Sequence, residues 1–323
     1  MGMYCGKIKL FGLDGRGIRM LQIGIQTSDV IKDECPLEGF AALRRAGFSC
    51  ADFGLNEYNR IDHFFSQSVQ ELETFFRPHR LGAEREQVRI NQMHMPHPLY
   101  DPFGNNELNT YLKEDVAYKS MAVCAFFKCP FMVVHGHKLT RVLGSEEEEW
   151  ERTEALLDFL VPVAKEMGIT ICLENLYDSV GGRLIEGPCC DAGKMAARID
   201  KMNEKYQAEV LGFCLDTGHA NLTGINLEKF IVAMGHRIKV LHIHDNDGVE
   251  DLHWLPFCPI GNREGMASVD WNGFLNGLRE IKYDRVLNFE TAPVIRIFPD
   301  RMQDAVLGFI AQVGKYFIGE LGI

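Results

Sequence analysis

Short runs of apolar residues recur along the chain, separated by segments with helical spacing. The runs are nearly continuous rather than alternating, which is typical of strands that are covered on both faces of a parallel sheet. Each run is of strand length and rich in β-branched or aromatic residues. The pattern predicts eight strands, at residues 21–27, 50–54, 88–94, 131–137, 169–175, 210–217, 238–245 and 285–291.

The segments between these runs have the spacing of amphipathic helices. After the fourth run, a spacing of i, i+3, i+4 and i+7 relates Leu157, Leu160, Val161 and Ala164. Near the C-terminus, similar spacing relates Val306, Phe309, Ile310, Val313 and Phe317. Pro36 suits the first position of a helix, and Asp270 can cap a helix that ends near Ile281. The chain therefore predicts repeated strand–helix units.

Eight such units predict a closed (β/α)8 TIM barrel of class α/β. An open, doubly wound sheet usually carries a glycine-rich phosphate loop after its first strand, and none follows Thr27. The length suits one domain, so we predict a single barrel over residues 1–323 with an N-terminal extension at 1–20. Long loops at 181–188 and 247–270 are expected on the active-site face of the barrel.

Composition excludes several classes of protein. The chain is 46% hydrophobic and 24% charged, which is typical of a globular protein. Its net charge is -11 without a basic stripe, which disfavours nucleic acid as a partner. Apolar runs are too short to span a membrane, and the N-terminus has no export signal, so we expect a cytoplasmic protein. The ten cysteines lack zinc-ribbon spacing and are interpreted as reduced core residues.

Chemistry is concentrated at the ends of the predicted strands. Six runs end in a side chain that can bind a metal: His94, His135, Glu174, Asp216, His242 and Glu290. In a barrel these ends converge on one mouth, where carboxylates and imidazoles suit a divalent ion. Glu174 and Glu290 follow apolar strands, so their ionised carboxylates are costly unless a cation or a donor pairs with them.

Two further segments supply candidates. In CLDTGHANLTG, Asp216 and His219 lie three residues apart and can face one cavity, although an Asp-capped turn is an alternative interpretation. The segment HIHDNDGVEDLH contributes His242, His244, Asp245, Asp247, Asp251 and His253. Strand alternation sends His242 and His244 to the same side. Not all of these side chains can be ligands.

The pieces LENL, LDTGHANLTG, LHIHDNDG with the following DLH, and FET span most of these units. With them the chain resembles the xylose-isomerase-like TIM barrels, which include sugar-phosphate isomerases, ketose 3-epimerases and endonuclease IV. Likeness to the epimerases implies four metal ligands, Glu174, Asp216, His242 and Glu290, with His219 near the substrate oxygens. Those epimerases commonly have an arginine six residues after the histidine ligand. Gly248 stands there in this chain, so their sugar preference does not carry over.

The resemblance to endonuclease IV supports an alternative. It implies a trinuclear zinc set made of His94, His135, Glu174, Asp216, His219, His242, Asp251, His253 and Glu290. Against a nuclease, the sequence shows no clear counterpart of that family's DNA-penetrating loop residues, and its charge suits a duplex poorly. Sugar-acting relatives also keep several of these residues as hydrogen-bonding partners of the substrate.

We therefore predict a metal-dependent isomerase or epimerase of a sugar or sugar phosphate. Glu174 and Glu290 are expected to serve as ligands and as the acid/base pair, through an enediolate stabilised by one tightly held divalent ion, Mn, Zn, Co or Mg. Substrate binding or additional metal binding is expected of His94, His135, His219, Asp251 and His253. A phosphodiesterase and a keto-sugar dehydratase or lyase remain alternatives, and a non-enzymatic binding module ranks last. The expected partner is a small carbohydrate, and homo-oligomers are left open.

Overall fold

The computed structural model describes residues 21–60, 63–139, 145–258 and 268–322. The predicted N-terminal extension lies outside these ranges. Ten strands are present in them: β1 Gln22–Gln26, β2 Cys50–Gly54, β3 Arg89–His94, β4 Phe131–His135, β5 Thr170–Glu174, β6 Tyr177–Val180, β7 Arg183–Glu186, β8 Leu211–Asp216, β9 Ile238–His242 and β10 Val286–Phe289.

Eight of these strands form one parallel sheet in the order β10-β1-β2-β3-β4-β5-β8-β9. A parallel bridge between Ile243 and Phe289 joins its two outer strands and closes the ring. Each of the eight predicted runs contains one strand of this sheet, with ends that differ by at most three residues. The predicted TIM barrel is therefore confirmed.

Helices surround the sheet: α1 Pro36–Ala46, α2 Val69–Glu86, α3 Asn106–Tyr111, α4 Tyr118–Phe126, α5 Glu146–Met167, α6 Ala192–Tyr206, α7 Thr217–Leu222, α8 Leu227–Met234, α9 Trp271–Glu280, α10 Ala292–Arg296 and α11 Gln303–Leu321. Pro36 begins α1, and the Asp270 carboxylate accepts the Gly273 backbone N–H to cap α9, as predicted. The predicted stripe of α5 is buried. The predicted C-terminal helix is confirmed as α11, and four residues of its predicted stripe are buried. Phe309 is the exception: it is 61% exposed, because the buried face includes Leu307 in its place.

The loop predicted at 181–188 is in part a β-hairpin. Strands β6 and β7 pair in antiparallel fashion around Gly181 and Gly182, whose φ angles are +59° and +79°. Two consecutive residues of positive φ match the twist of a tight hairpin, and glycine adopts them without a Cβ clash. Each strand has only four residues and none is fully apolar, so the hydrophobic pattern did not reveal the hairpin.

The side chains that face the interior of the barrel determine where the predicted site lies. A small apolar cluster inside the barrel consists of Val133, Cys172, Cys214 and Val240. Because side chains alternate along a strand, the residue two positions later faces the same interior, one layer nearer the C-terminal mouth. Those residues are His135, Glu174, Asp216 and His242. The apolar layer therefore forms a floor beneath the predicted site.

Two findings concern the composition of the described ranges. None of their helices is both long enough and apolar enough to cross a lipid bilayer. Their cysteines are free thiols, and all but Cys35 and Cys258 are buried. Burial raises the pKa of the Cys190 thiol to about 12, so this thiol stays protonated at neutral pH. The adjacent Cys189 is likewise a free, buried thiol.

Candidate metal centre

Glu174, at the end of β5, lies at the centre of the mouth. Its Oε2 lies 3.3 Å from His94 Nε2 and 3.2 Å from His135 Nε2. Its Oε1 lies 3.2 Å from His219 Nδ1 and 3.4 Å from His242 Nδ1. The side chain is only 1% exposed. Its two oxygens thus face two different sets of imidazoles.

Two more carboxylates approach His242. Glu290 Oε2 lies 3.2 Å from His242 Nδ1, and Asp216 Oδ2 lies 3.9 Å from the same atom. Asp216 and His242 are fully buried, whereas the Glu290 side chain is 24% exposed. The four residues predicted as metal ligands therefore meet around one imidazole, with Glu290 on the more open side.

The remaining predicted residues form a neighbouring cluster around Asp251. Its Oδ2 lies 3.2 Å from His219 Nε2 and 3.3 Å from His253 Nε2. His244, which was noted in the sequence without a role, is fully buried and has its Nε2 3.0 Å from Asp216 Oδ2. The structure thus brings all nine predicted site residues together and adds His244 to them.

Backbone carbonyls fix the orientation of three imidazoles. His94 Nδ1 donates to Met95 O at 2.9 Å, and His253 Nδ1 donates to Glu290 O at 3.0 Å. His219 Nδ1 donates to the backbone oxygen of the residue after Glu174 at 2.9 Å. A carbonyl only accepts, so a proton sits on that nitrogen, and the other nitrogen of the ring faces a carboxylate. Lone pairs facing carboxylates repel unless a proton or a metal ion lies between them.

His242 is oriented by a residue that the sequence did not single out. Asp52 on β2 is 2% exposed, and its Oδ2 accepts from His242 Nε2 at 3.0 Å and from Gln92 Nε2 at 3.0 Å. This leaves His242 Nδ1 to face Glu174 and Glu290. A carboxylate behind a metal-binding imidazole is a common way to orient it. The signal in the sequence was a charged residue inside the otherwise apolar run CADFG.

The electrostatics of the mouth favour a bound cation. Burial lowers the pKa of His253, but the Glu290 charge and the Asp251 contact outweigh it and raise that pKa to about 9. The pKa of His219 is raised well above its usual range, since Asp216 and Asp251 outweigh burial there too. Burial would raise the pKa of Glu174, yet His242 and His135 hold it well below its usual range. Glu174 therefore stays ionised and draws positive charge to the mouth.

Buried polar atoms at the mouth fit a metal ion. Among the residues that the structure describes, Glu174 Oε2, His242 Nδ1 and Asp251 Oδ1 are buried and lack a hydrogen-bond partner. Such atoms are rare in native proteins and call for an unseen partner. Imidazole nitrogens and carboxylate oxygens within ligand spacing of one another are a donor set for a divalent transition ion. The donor chemistry therefore fits the predicted cofactor.

Two acidic residues of HIHDNDGVEDLH are structural. The Asp245 carboxylate accepts from Trp271 Nε1 at 2.9 Å and from Ser268 Oγ at 2.9 Å, which ties this loop to the start of α9. Asp247 Oδ1 accepts the Val249 backbone N–H at 2.9 Å within the loop. The six candidates of that segment thus divide into four at the mouth and two that shape the loop.

Asp216 both caps a turn and lies at the site, the two alternatives that the sequence left open. Its Oδ1 accepts the His219 backbone N–H at 2.6 Å and caps α7, while its Oδ2 faces the mouth. Asn175, from LENL, exchanges two 2.9 Å hydrogen bonds with the backbone of Asp216 and so holds β5 and β8 in register. The capped turn therefore positions the carboxylate rather than competing with a role in the site.

A cavity of about 210 Å³ opens beside the imidazoles. Its wall includes His97, His135, Lys138, Tyr177, His219 and Asp251. The volume is below the range of roughly 300–1,000 Å³ that is usual for drug-sized ligands. The space beside the candidate metal centre therefore suits a small polar molecule.

Comparison with known families agrees with this geometry. The profile of the family described as xylose isomerase-like TIM barrel matches residues 40–307, most of the chain. The chain belongs to this family. Uncharacterized protein MJ1188 of Methanocaldococcus jannaschii is 24% identical over 276 residues, which cover 84% of this chain and 88% of that protein. Uncharacterized protein y4fM of Sinorhizobium fredii is 32% identical over 120 residues, but these cover only 37% of this chain and 35% of y4fM.

Solved structures share the fold of this xylose isomerase-like barrel. A D-allulose 3-epimerase from Methylomonas sp., in complex with D-allulose, has a TM-score of 0.64 at 17% identity and covers 92% of this chain and 97% of its own. A putative xylose isomerase from Rhodospirillum rubrum has a TM-score of 0.69 at 15% identity, with coverage of 92% and 99%. A D-tagatose 3-epimerase-like protein has a TM-score of 0.63 at 20% identity, with coverage of 94% and 98%. At these identities the likeness establishes the fold.

Asp52→Asn is expected to weaken metal binding to this xylose isomerase-like barrel by about 10- to 100-fold. The amide still offers an oxygen to His242 Nε2, but it removes the charge that makes the imidazole a better ligand. Equilibrium dialysis against a competing chelator measures the affinity. Asp33→Asn is the matched control, because Asp33 Oδ1 contacts His79 Nε2 at 2.9 Å away from the mouth. Equal affinities for wild type and Asp52→Asn would contradict this role.

Gly218→Ala is expected to destabilise the fold by about 1–3 kcal/mol. A Cβ at this position in α7 would lie 2.0 Å from Cε1 of the buried His244 ring, which would have to move away from Asp216. At Gly308 in α11 a Cβ would meet nothing within 4 Å, so Gly308→Ala is expected to be neutral or stabilising by up to about 1 kcal/mol. Urea unfolding measures both, and similar effects of the two substitutions would argue against a close fit at Gly218.

Proposed function

We propose that the protein is a metal-dependent isomerase or epimerase of a keto-sugar or its phosphate. One observation carries the proposal: two carboxylates from distant strands, Glu174 and Glu290, approach the same imidazole nitrogen of His242, at 3.4 Å and 3.2 Å. A pair of carboxylates that shares one centre can remove a proton from a substrate carbon and return one.

The solved neighbours support the class of substrate. They include 3-epimerases of D-allulose and of L-ribulose, together with a 3-keto-D-glucoside 4-epimerase from E. coli. Gly248 occupies the position where such epimerases commonly have an arginine, and its φ of +76° lies in the left-handed region. We therefore propose a keto-sugar without assigning its stereochemistry.

The roles proposed for the site residues follow from how deeply each side chain is buried. The residues proposed to hold the divalent ion are Glu174, Asp216, His242 and Glu290, and the ion would supply an electrophile that acidifies a hydrogen beside the substrate carbonyl. Glu290 is the more exposed of the two acid/base carboxylates and is proposed to meet the substrate from the open side. Glu174 is held ionised by the imidazoles around it, which is the form that can bind a cation, and it is proposed as the second carboxylate of the acid/base pair. His219 and His253 are proposed to hydrogen-bond substrate oxygens.

Hydrogen exchange with solvent tests this function. The metal-loaded protein is incubated in heavy water with ketohexoses, ketopentoses and their phosphates, and NMR detects deuterium at the carbon beside the carbonyl. We expect exchange with at least one sugar, and its loss after the metal is removed with a chelator. Irreversible loss of water or of a leaving group would identify a lyase instead. If no sugar of the panel exchanges, the proposed function is wrong.

A second candidate function is that of a trinuclear zinc phosphodiesterase. Two observations favour it: Glu174 faces separate imidazoles with its two oxygens, and His219, Asp251 and His253 form an adjoining cluster. The acidic net charge of -11 favours a small substrate over a duplex. Three tightly bound zinc ions per chain, together with cleavage of duplex DNA at abasic sites, would favour this candidate over the isomerase.

A further inference from the structure

Exposed apolar side chains are concentrated on one side of the barrel, along α11. Thirteen large hydrophobic residues are exposed in the ranges that the structure describes. Six of them lie on α11 or directly beside it: Phe257, Ile297, Phe298, Met302, Phe309 and Tyr316. Such a concentration is uncommon on the surface of a monomeric protein and marks a site of interaction. Nothing in the proposed function uses this side of the barrel.

Three of these side chains form a stripe on the outer face of α11. Met302, Phe309 and Tyr316 are seven residues apart, which is about two helical turns, so they lie above one another. They are 41%, 61% and 52% exposed. The face that packs on the barrel is a different one and includes the fully buried Ile310 and Phe317. Because α11 carries apolar residues outside its core face, we expect a further partner to cover them.

The residues of this outer face complement one another when the helix direction is reversed. About a two-fold axis between positions 310 and 311, position 305 comes opposite position 316, and position 301 comes level with position 320. The ring of Tyr316 then meets the small, exposed Ala305 of a second copy. Arg301 and Glu320, both exposed, bring opposite charges to each end of the pair. Near the axis, Phe309 meets its own counterpart.

We propose that the outer face of α11 pairs in antiparallel fashion with the same face of a second copy of this chain, and that the protein is a homodimer through this contact. A two-fold interface must be self-complementary, and the matched large, small and charged positions of α11 meet that condition. Phe257, whose ring lies 6.0 Å from that of Tyr316, flanks the helix pair together with Ile297 and Phe298. These side chains enlarge the contact toward the roughly 800 Å² per partner that is typical of specific interfaces.

Sedimentation equilibrium of the whole chain tests the proposal. We expect a dimer in the wild type, and we expect Phe309→Glu to weaken dimerisation at least about 10-fold, because it brings two carboxylates together near the axis. Ala305→Trp is expected to weaken it too, although it adds apolar surface, because the indole and the Tyr316 ring of the other copy would occupy the same space. Leu81→Glu is the matched control, since Leu81 is 57% exposed on a different helix, α2, and its replacement should leave the dimer unchanged.

Photo-cross-linking identifies what covers the face. With p-benzoylphenylalanine at position 309, a mixture of isotope-labelled and unlabelled protein should give cross-links between the two copies, and these should fall within α11. Cross-links to any other segment, of the same copy or of the second one, would overturn the proposal. A wild type that stays monomeric at about 100 μM, or a dimer that tolerates both Phe309→Glu and Ala305→Trp, would do the same. Circular dichroism verifies that each variant is folded. The proposal is independent of the proposed function, so failure of sugar exchange in heavy water would leave the dimer standing.

Discussion

Replacing Glu174 with glutamine is expected to reduce the affinity for the metal by at least about 100-fold and to abolish hydrogen exchange. This loss of affinity is larger than the 10- to 100-fold loss that is typical when a residue that only orients a ligand is replaced. The reason is that Glu174 itself faces the imidazoles of four histidines. An amide keeps one acceptor oxygen, but it carries no charge and its NH₂ group would point at one of the two imidazole sets. Metal binding on either side of Glu174 should therefore weaken.

The control for this experiment is Glu186→Gln, at the exposed end of the hairpin strand β7. Dialysis with Mn²⁺ and with Zn²⁺ measures the affinity for each ion, and circular dichroism checks that the barrel is folded. If Glu174→Gln binds both kinds of ion as wild type does, Glu174 is not a ligand and the centre must be assigned differently.

The barrel could be predicted from the sequence because its signals are local. A buried parallel strand is a short apolar run, and eight such runs with helical spacing between them leave few alternative folds. Features that depend on packing against other elements could not be predicted from these local patterns. Phe309 fits the helical spacing of α11, but the direction of the buried face depends on what α11 packs against. The hairpin after β5 lacks an apolar pattern because it is not covered on two faces.

The site could likewise be predicted only where its residues lie at the ends of predicted strands. Closure of the barrel brings strand ends together, so metal-capable residues at those ends were expected to meet, and they do. Asp52 lies within a strand rather than at its end, and its role depends on contact with His242, 190 residues away. Whether any of these residues binds metal stays a prediction.

Glu290→Gln is expected to reduce hydrogen exchange by at least about 10²- to 10⁴-fold, the usual contribution of a general acid or base. Its expected effect on metal binding is smaller than that of Glu174→Gln. Glu290 faces the metal position with Oε2 from the open side, and a glutamine oxygen can still occupy that place. What the amide cannot do is accept a proton from carbon. Loss of exchange with most of the metal retained would therefore separate proton transfer from coordination.

The two glutamine variants also distinguish the surroundings of the two carboxylates. Glu174 is 1% exposed and surrounded by imidazoles, whereas Glu290 is 24% exposed beside His253. If both carboxylates transfer protons, one on each side of the substrate, each variant should lose epimerisation, and Glu290→Gln, which keeps most of the metal, should retain slow exchange at the face served by Glu174. Heavy-water NMR of the substrate and of the product distinguishes these faces. Full exchange by Glu290→Gln at wild-type metal content would exclude Glu290 as a proton carrier and leave it only a role in binding.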